Sequence, residues 1–583
     1  MQEQDDIDNG IFPKLYLPLF ISIDMEDLRE IALKYALQNA ILHDGKANYK
    51  AVMGKIMAEN PSLRSRAKEL IEEVRRIVEE VNKLSVEKQR RKLEEIAPEL
   101  LERKKKEEKK ELEDLPDVHG EVRMRLAPSP SGPMHLGQSR MAILNDEYVK
   151  RYGGKLFLRI EDTNPHNILP EAYDMIPDDL EWLGVKVHEI VIQSDRFEIY
   201  YDYARKLLEM GKAYITEVPA EEWRRLKNES KATKDRDLPP EEHLERWEKM
   251  LSGYYDEGEA VYAVKTDLQH PNPAIRDWAA FRIIKNVEHP RVGDKYIVYP
   301  LMNFSVAIDD HELQLTHVLR GKDHLNNTYR QMYLYDYFGW RKPVYIHYGW
   351  VTMKNTILKT SVIKEGIKKG IYSGWDDPQL GTLRALRKRG IRPEAIRKYW
   401  LQVGLKEVDI EFSWDTLYAY NREIVDPIAP RYFFVWDPIK VKIIGKEKIE
   451  GRSPLHPSKA MGFREYNLKE PIEIYLTGND WKRTEEGELF RLKDLCNVKK
   501  IGKHLEYAGN DLAIVKRGAK IIHWVPTEDS VKCVVRMPDG KSMEGYAERA
   551  AQKSAGNIVQ FERFGFVQLY KKNGEIEGYF AHR

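Results

Sequence analysis

The ten residues Pro128-Ser129-Pro130-Ser131-Gly132-Pro133-Met134-His135-Leu136-Gly137 decide how this chain folds, through what stands on either side of them. Before them, Glu121 to Ala127 (EVRMRLA) alternates strictly. Val122, Met124 and Leu126 fall on one face and Arg123 and Arg125 on the other, the period of a strand. After them, Gln138 to Tyr152 carries Met141, Ile143, Leu144 and Val149 at near-helical spacing and stops at Gly153-Gly154. A second alternating run, Lys155 to Glu161 (KLFLRIE), follows. Strand, glycine-bearing turn, helix and strand make a βαβ unit, which takes ligands in the crevice at the carboxyl ends of its strands.

The turn points to phosphate chemistry. Gly132 and Gly137 allow a close backbone approach to a ligand, and the helix that follows is expected to turn unpaired N–H groups and its positive dipole end outward. His135 stands where that helix begins, within reach of a phosphate oxygen. The stretch lacks the Lys-Ser/Thr ending of a P-loop and has no G-x-G-x-x-G, so neither motif accounts for it. Read alone, His135-Leu136-Gly137 is equally well a turn whose histidine is satisfied by backbone.

Composition sets the frame. A chain of 583 residues holds several domains, at roughly one per 150 residues. Charged residues make up 32% and hydrophobic ones 42%, an ordinary soluble balance. With a net charge of +1, any nucleic-acid partner must be held by local basic patches rather than by a global field. Two cysteines, Cys496 and Cys533, argue against a disulfide scaffold and are too few for a Cys-rich zinc site, so no zinc is expected. The acidic start (MQEQDDIDNG) is unlike a secretory leader. The apolar run Leu15 to Ile23 is too short to span a bilayer, and a cytoplasmic protein without a membrane partner is expected.

RLAPSPSGPMHLG followed by a helix and LRIEDTNP resembles the first signature of class I aminoacyl-tRNA synthetases, and more narrowly the glutamyl/glutaminyl branch in its archaeal form. That family binds ATP with His-x-Gly-His. Here the last position is Gln138, one imidazole fewer for the phosphates. Tyr299-Pro-Leu-Met-Asn303-Phe and the run AIDDHELQLTHVLRGKDH also match the family, and LTHVLR reads as a buried parallel strand delivering Arg320 to its carboxyl end. The second signature, a Lys-Met-Ser-Lys-Ser loop in the family, is represented by Leu358-Lys359-Thr360-Ser361-Val362. The usual second lysine falls on Thr360, so Lys359 or Lys364 must supply the charge. A plain polar turn before a basic helix is the alternative.

The resemblance implies a Rossmann-type class I catalytic core with an acceptor-binding insertion, a helical N-terminal extension and a C-terminal antiparallel β-barrel region that reads the anticodon. The expected division is a helical extension at 1–118, catalytic halves at 119–211 and 297–345, and an insertion at 212–296. A helical stem-contact domain follows at 346–432 and barrels at 433–583. Within the extension the residues from Ser62 to Leu84 have helical spacing, Ser85 to Asp117 reads as a solvated helix, and Leu115-Pro116-Asp117 reads as a linker. Short runs such as VKIIG, IEIYL, VKCVVRM and FGFVQLY read as barrel strands. Arg431, Lys440, Lys442, Lys516, Arg517 and Lys520 lie among aromatics there, the combination that holds single-stranded RNA bases.

The implied activity is a glutamate–tRNA ligase reaction. L-Glutamate attacks ATP to give glutamyl-adenylate, and the 2′-OH of the terminal ribose of tRNA then takes the glutamyl group. Partners are L-glutamate, ATP with Mg²⁺, and tRNA(Glu), with tRNA(Gln) as a further acceptor left open, and the chain is expected to act as a monomer. His135 and Lys359 would stabilise charge on the phosphates. Ser131, Gly132, Gly137, Gln138, Thr360 and Ser361 would complete the ATP site, within a first signature running from Pro128, Ser129 and Pro130 through Pro133, Met134 and Leu136 to Gln138. Arg125, with Tyr299 nearby, is placed on the side-chain carboxylate of glutamate and Arg320 adds a second cation. Glu161 meets the ammonium, and Ala127, Ser129 and Asn303 line the pocket. Glu161 has a second reading as a strand-end carboxylate paired with Arg159. Glutaminyl enzymes lack an arginine at the position of Arg320, which favours glutamate. A glutaminyl enzyme and a non-catalytic tRNA-binding relative are the alternatives.

Overall fold

The computed structural model describes residues 25–43, 45–59, 67–97, 100, 112–458 and 460–583. The apolar run Leu15 to Ile23, the first residues of the helix expected from Ser62, and most of the charged run before residue 112 lie outside the described residues. Two compact units divide the chain, Met1–Lys110 and Glu111–Arg583.

Among its described residues the first unit holds four helices, Met25–Leu42, Tyr49–Glu59, Ala67–Asn82 and Val86–Ile96. In Ala67–Asn82, Leu70, Val74, Ile77, Val78 and Val81 recur at three and four residues and are all buried, so one stripe faces the core and Glu and Arg face water.

The second unit is organised by parallel strands. β1 (Arg123–Leu126), β2 (Lys155–Ile160) and β3 (Glu189–Ile192) pair in parallel in the order β1-β2-β3. β4 (His317–Gly321) and β5 (Val344–Tyr348) form a second parallel pair. Thr316, just before β4, donates its N–H to the carbonyl of Arg123 at 2.9 Å and accepts from Arg123 N–H at 2.9 Å through its hydroxyl, which sets β4 beside β1. The spatial order is therefore β3-β2-β1-β4-β5, and the winding reverses between β1 and β4. Helix α1 (Leu136–Tyr152) crosses from β1 to β2.

Between β3 and β4 the chain builds a second core. A four-stranded antiparallel sheet runs Ala213–Thr216, Val261–Val264, Trp278–Ile283 and Val298–Pro300, in that order. Phe197, Trp247, Tyr262, Phe281 and Tyr299 pack in it together with Phe304 of helix α2 (Met302–Glu312). Helix α3 (Leu325–Phe338) follows β4.

Residues 115–117, read as a linker, are held firmly. Leu112 and Leu115 are buried in the main core, Leu115 N–H donates to Tyr152 Oη at 3.0 Å, and the carbonyl of Pro116 bonds His317 Nε2 at 2.8 Å. The proline hid this, since the anchors sit on α1 and β4. Helices Leu383–Lys388, Pro393–Val403 and Trp414–Val425 join the same core through Leu383, Leu386, Trp400 and Leu417.

The C-terminal region is mainly β, with two seven-stranded sheets and a separate hairpin of Lys448–Pro454 with Phe463–Lys469 among the described residues, and short helices at Gly478–Lys482 and Ala513–Lys516. The expected antiparallel pairs are joined by parallel ones, such as Arg431–Tyr432 with Ile558–Phe561 and Ser530–Arg536 with Glu575–His582. These pairings link strands distant in sequence, which local alternation does not reveal. No helix among the described residues is long and apolar enough to cross a membrane.

Candidate active site

A cleft of about 480 Å³ opens at the carboxyl ends of β1 and β4, where the winding reverses. This is the place a doubly wound sheet keeps for a ligand. Arg125, Ala127, His135, Gly137, Glu161 and Arg320 all line it, so the first strand, the signature turn, the end of β2 and the end of β4 converge as expected.

His135 caps helix α1. Its Nδ1 accepts from Gly137 N–H at 3.1 Å and from Gln138 N–H at 3.3 Å. Its own N–H donates to Gln138 Oε1 at 3.1 Å, which closes a reciprocal capping box. An Nδ1 that accepts twice cannot carry the proton, so the proton resides on Nε2. Burial lowers the pKa of His135 to about 4, which keeps the ring neutral and in this one tautomer at neutral pH. His135 therefore presents a single N–H donor to the cleft.

The helix N-terminus is not the open cradle expected from the sequence. Leu136 N–H donates to Gly381 O at 2.9 Å, and Ser139 N–H to His135 O at 3.2 Å. With Gly137 and Gln138 bonded to the histidine ring, the first turn has its donors occupied. The glycines likewise serve the protein's own packing. A Cβ on Gly132 would lie 2.5 Å from Thr360 Cγ2 and 3.0 Å from Trp375, and one on Gly137 would lie 3.1 Å from the His135 ring.

Charge in the cleft is unevenly paired. Arg159, fully buried on β2, has Glu161 at 3.0 Å, Asp310 at 2.5 Å and Asp309 at 3.8 Å. Glu161 is thus both the strand-end partner of Arg159 and a wall of the cleft. Arg125, 5% exposed, has Asp310 at 3.8 Å as its one ion-pair partner among the described residues, and its Nε makes no hydrogen bond. Arg320, also 5% exposed, has no carboxylate within ion-pairing distance among the described residues. Its Nη2 donates to Gln331 Oε1 at 2.7 Å, its Nε is unpartnered, and its guanidinium lies 4.4 Å over the Tyr345 ring. Burial presses its pKa down from the ordinary guanidinium value.

Other expected residues stand back from the cleft wall. Asn303, on α2, accepts from Gln331 Nε2 at 3.3 Å and donates to Asn327 at 3.2 Å, two hydrogen bonds away from Arg320. Tyr299 is fully buried in the aromatic core built between β3 and β4, edge-on to Phe197, with an unpartnered hydroxyl. Ser129 and Ser131 belong to the signature turn, where Ser131 N–H donates to Ser129 O at 2.9 Å. Lys359 is exposed at the start of α4 (Thr360–Lys368), Ser361 is exposed and Thr360 packs on Gly132. Leu358 alone of that segment lines the cleft. Among the described residues no group of three or more His, Cys, Asp or Glu could hold a metal ion.

The family model for the catalytic domain of tRNA synthetases class I (E and Q) matches residues 121–427. The chain belongs to this family. Models for the anti-codon binding domain of the same synthetases match residues 429–514 and 521–570, the two-sheet β region. A glutamate–tRNA ligase of Methanocaldococcus jannaschii is 51% identical over 95% of this chain and 100% of its own length. That of Pyrococcus furiosus is 50% identical over 96% and 100%, and that of Thermoplasma acidophilum 54% identical over 86% and 90%. A solved glutamate tRNA ligase from Elizabethkingia meningosepticum aligns at 24% identity over 53% of this chain and 70% of that one, with a TM-score of 0.37.

Several synthetase residues escape a reading of the sequence. Arg140, buried in α1, donates to Gly349 O at 3.0 Å and Gly404 O at 2.7 Å and fixes the loop before the second signature. Asp179, on the helix Ala172–Trp182, accepts from Met134 N–H at 2.8 Å. Gln331 ties Arg320 to Asn303. The one signal available was polarity within apolar helical spacing, and it does not say which partner a buried group finds. In the β region Lys440 pairs with Glu473 at 2.6 Å, Lys520 with Glu488 at 2.8 Å and Arg431 with Asp426 at 3.3 Å. Such exposed pairs are worth at most about 1 kcal/mol and yield readily to a phosphate.

Proposed function

We propose that this synthetase is a glutamate–tRNA ligase, carried by one observation: Arg320 is a buried cation with no carboxylate within ion-pairing distance among the described residues. Leaving a charge in such a place costs several kcal/mol unless an anion arrives to pair with it. A glutamate side-chain carboxylate supplies one, and the neutral amide of glutamine does not. Arg125, whose Nε makes no hydrogen bond and lies 3.8 Å from Asp310, is the second cation facing the same space. The names of the archaeal relatives support the same reading.

The chemistry follows in two steps. The α-carboxylate oxygen of glutamate forms a bond to the α-phosphorus of ATP, the bond to the bridging oxygen breaks, and pyrophosphate leaves. The 2′-OH of the terminal ribose of tRNA then attacks the carbonyl of the mixed anhydride and loses its proton, and AMP leaves. Such transfers need positioning and relief of spreading negative charge more than covalent help. Mg²⁺, carried by the nucleotide's phosphates, neutralises part of that charge. Neutral His135 contributes its Nε2–H to a phosphate oxygen, and Lys359 or Lys364 is the candidate cation from the second signature. Glu161 is assigned to the α-ammonium, sharing its charge with Arg159. Ala127 lines the glutamate side, while Ser129, Tyr299 and Asn303 support it from behind. Ser131, Gly132, Gly137, Gln138, Thr360 and Ser361 shape the ATP side. The acceptor is assigned as tRNA(Glu), the state as monomeric and the location as cytoplasmic.

The test is charging of purified tRNA with radiolabelled glutamate and glutamine, with ATP and Mg²⁺, by the intact chain and by Arg320→Ala. Glutamate charging that falls by about two orders of magnitude in the variant is expected, the usual loss for a preorganised charged donor. Glutamine charging by the intact chain would overturn the assignment. Binding of tRNA with no charging of either amino acid would mark a non-catalytic relative. Separate tRNA(Glu) and tRNA(Gln) fractions decide the acceptor.

A further inference from the structure

The partner that holds Arg320 is an amide. Gln331 is fully buried on α3, and its Oε1 takes the 2.7 Å bond from Arg320 Nη2. Its Nε2 donates to Asn303 Oδ1 at 3.3 Å, and Asn303 Nδ2 donates to Asn327 Oδ1 at 3.2 Å. Asn327 and Gln331 are four residues apart on one face of the helix, so a single surface of α3 anchors both ends of this relay. Gln331 lines the cleft beside Arg320, and Gln331, Asn303 and Asn327 are all neutral, the last also accepting from Arg330 Nη1 at 3.1 Å.

Arg159 shows the other solution. Three carboxylates surround it, and its charge is spent inside the protein. An amide acceptor orients a guanidinium through a hydrogen bond and leaves its net charge uncompensated, whereas a carboxylate in the same place would orient it and cancel it. The difference between the two side chains is one atom in shape and one full charge.

From this we infer that Gln331 is the positioning residue that sets charge selectivity: it aims Arg320 while keeping its positive charge available to an anionic substrate group. The inference rests on the reading that Arg320 meets the glutamate carboxylate. Selectivity for glutamate over glutamine then belongs to the Arg320–Gln331 pair and not to the arginine alone.

Glu in place of Gln331 tests this with almost no change of shape. In Gln331→Glu the expected result is a rise of at least tenfold in KM for glutamate, with KM for ATP unchanged and the inhibition constant of glutamine against charging unchanged or lower. Gln331→Met, which removes the acceptor without adding charge, is expected to raise KM for glutamate severalfold while keeping the ratio of glutamate to glutamine affinity. Thermal unfolding of each variant establishes that it is folded, and if Gln331→Glu is not, the Met variant alone decides: an unchanged KM for glutamate overturns the proposal. A Glu variant with an unchanged KM overturns it as well, as does equal loss of selectivity in both variants, which would mean packing alone. Arg320→Ala run alongside separates the two failures. Loss of glutamate charging in Arg320→Ala with none in Gln331→Glu sinks this inference only, whereas no loss in either sinks the glutamate reading of Arg320.

Discussion

Gln138 and His135 hold each other reciprocally: the Gln138 Oε1 takes the His135 backbone N–H at 3.1 Å while the His135 ring takes the Gln138 N–H at 3.3 Å. The family's second histidine is thus replaced by a residue that fixes the first one. Gln138→Ala should remove one arm of the box, at about 1 kcal/mol, and free the imidazole to turn. A KM for ATP raised about fivefold with KM for glutamate unchanged is the expected outcome, measured in steady-state charging. Equal change in both constants would mean a general loosening of α1.

The neutral state of His135 makes its own prediction. Its pKa in the folded chain is depressed by burial to about 4, below the ordinary 6.5. A depressed histidine contributes stability that is present above the unfolded value and lost as pH falls through about 4. The ¹³Cε1 resonance of His135, assigned by its absence in His135→Asn, is expected to titrate near 4. Titration near 6.5 would mean that the ring is open to water and not locked as a cap.

Asp179 runs the other way. Burial pushes its pKa up to about 7, against the opposing pull of the Met134 N–H and of Arg384, whose Nε lies 3.5 Å away. A raised carboxylate contributes stability that is present below its unfolded value near 4 and lost as pH rises through about 7, by at most roughly 4 kcal/mol. Asp179→Asn keeps an acceptor for Met134 and has no charge to bury. Its unfolding midpoint relative to the parent is therefore expected to rise between pH 5 and pH 8. A difference that does not vary with pH would place the charge of Asp179 in a well-paired site.

What the sequence made legible follows from periodicity. β1, α1 and β2 came from alternation and helical spacing; Arg320 was singled out because a charged residue at the carboxyl end of a strand in a doubly wound sheet has the crevice to face, and Arg125 by its place on the polar face of β1 and by the family resemblance. What it hid depends on partners. Histidine is not among the usual helix caps, so the local sequence left a phosphate-facing His135 and a turn histidine satisfied by backbone equally open, and only the fold shows its ring taking the Gly137 and Gln138 N–H groups. Leu115 is followed by a proline and an aspartate, a linker signal, yet Tyr152 and His317 anchor it. Asp179 and Gln331 are polar residues within apolar helical spacing, and that spacing does not say which partner a buried polar group finds. The parallel pairs of the β region join strands whose neighbours in sequence lie elsewhere.

Gly132 illustrates this most directly, because its partner is in the other signature. The contact of its missing Cβ with Thr360 Cγ2 would be 2.5 Å, and with the Trp375 ring 3.0 Å. Gly132→Ala is therefore expected to displace the Thr360 side chain and, through it, α4 and the Lys359 segment from the first signature, an overpacking of about 1–3 kcal/mol. Charging is expected to fall through kcat more than through KM for glutamate, since Arg125 and Arg320 stay in place. Thr360→Ser removes the methyl that collides and alone should be close to neutral. In the double variant the remaining ring contact needs only a few tenths of an ångström, so most of the lost rate should return, and a coupling between the two positions should appear in the cycle. Rates that simply multiply would show that the two signatures do not touch in the working enzyme. Recovery in the double variant would make the Gly132–Thr360 contact the point through which α4 is set against the ATP side of the cleft.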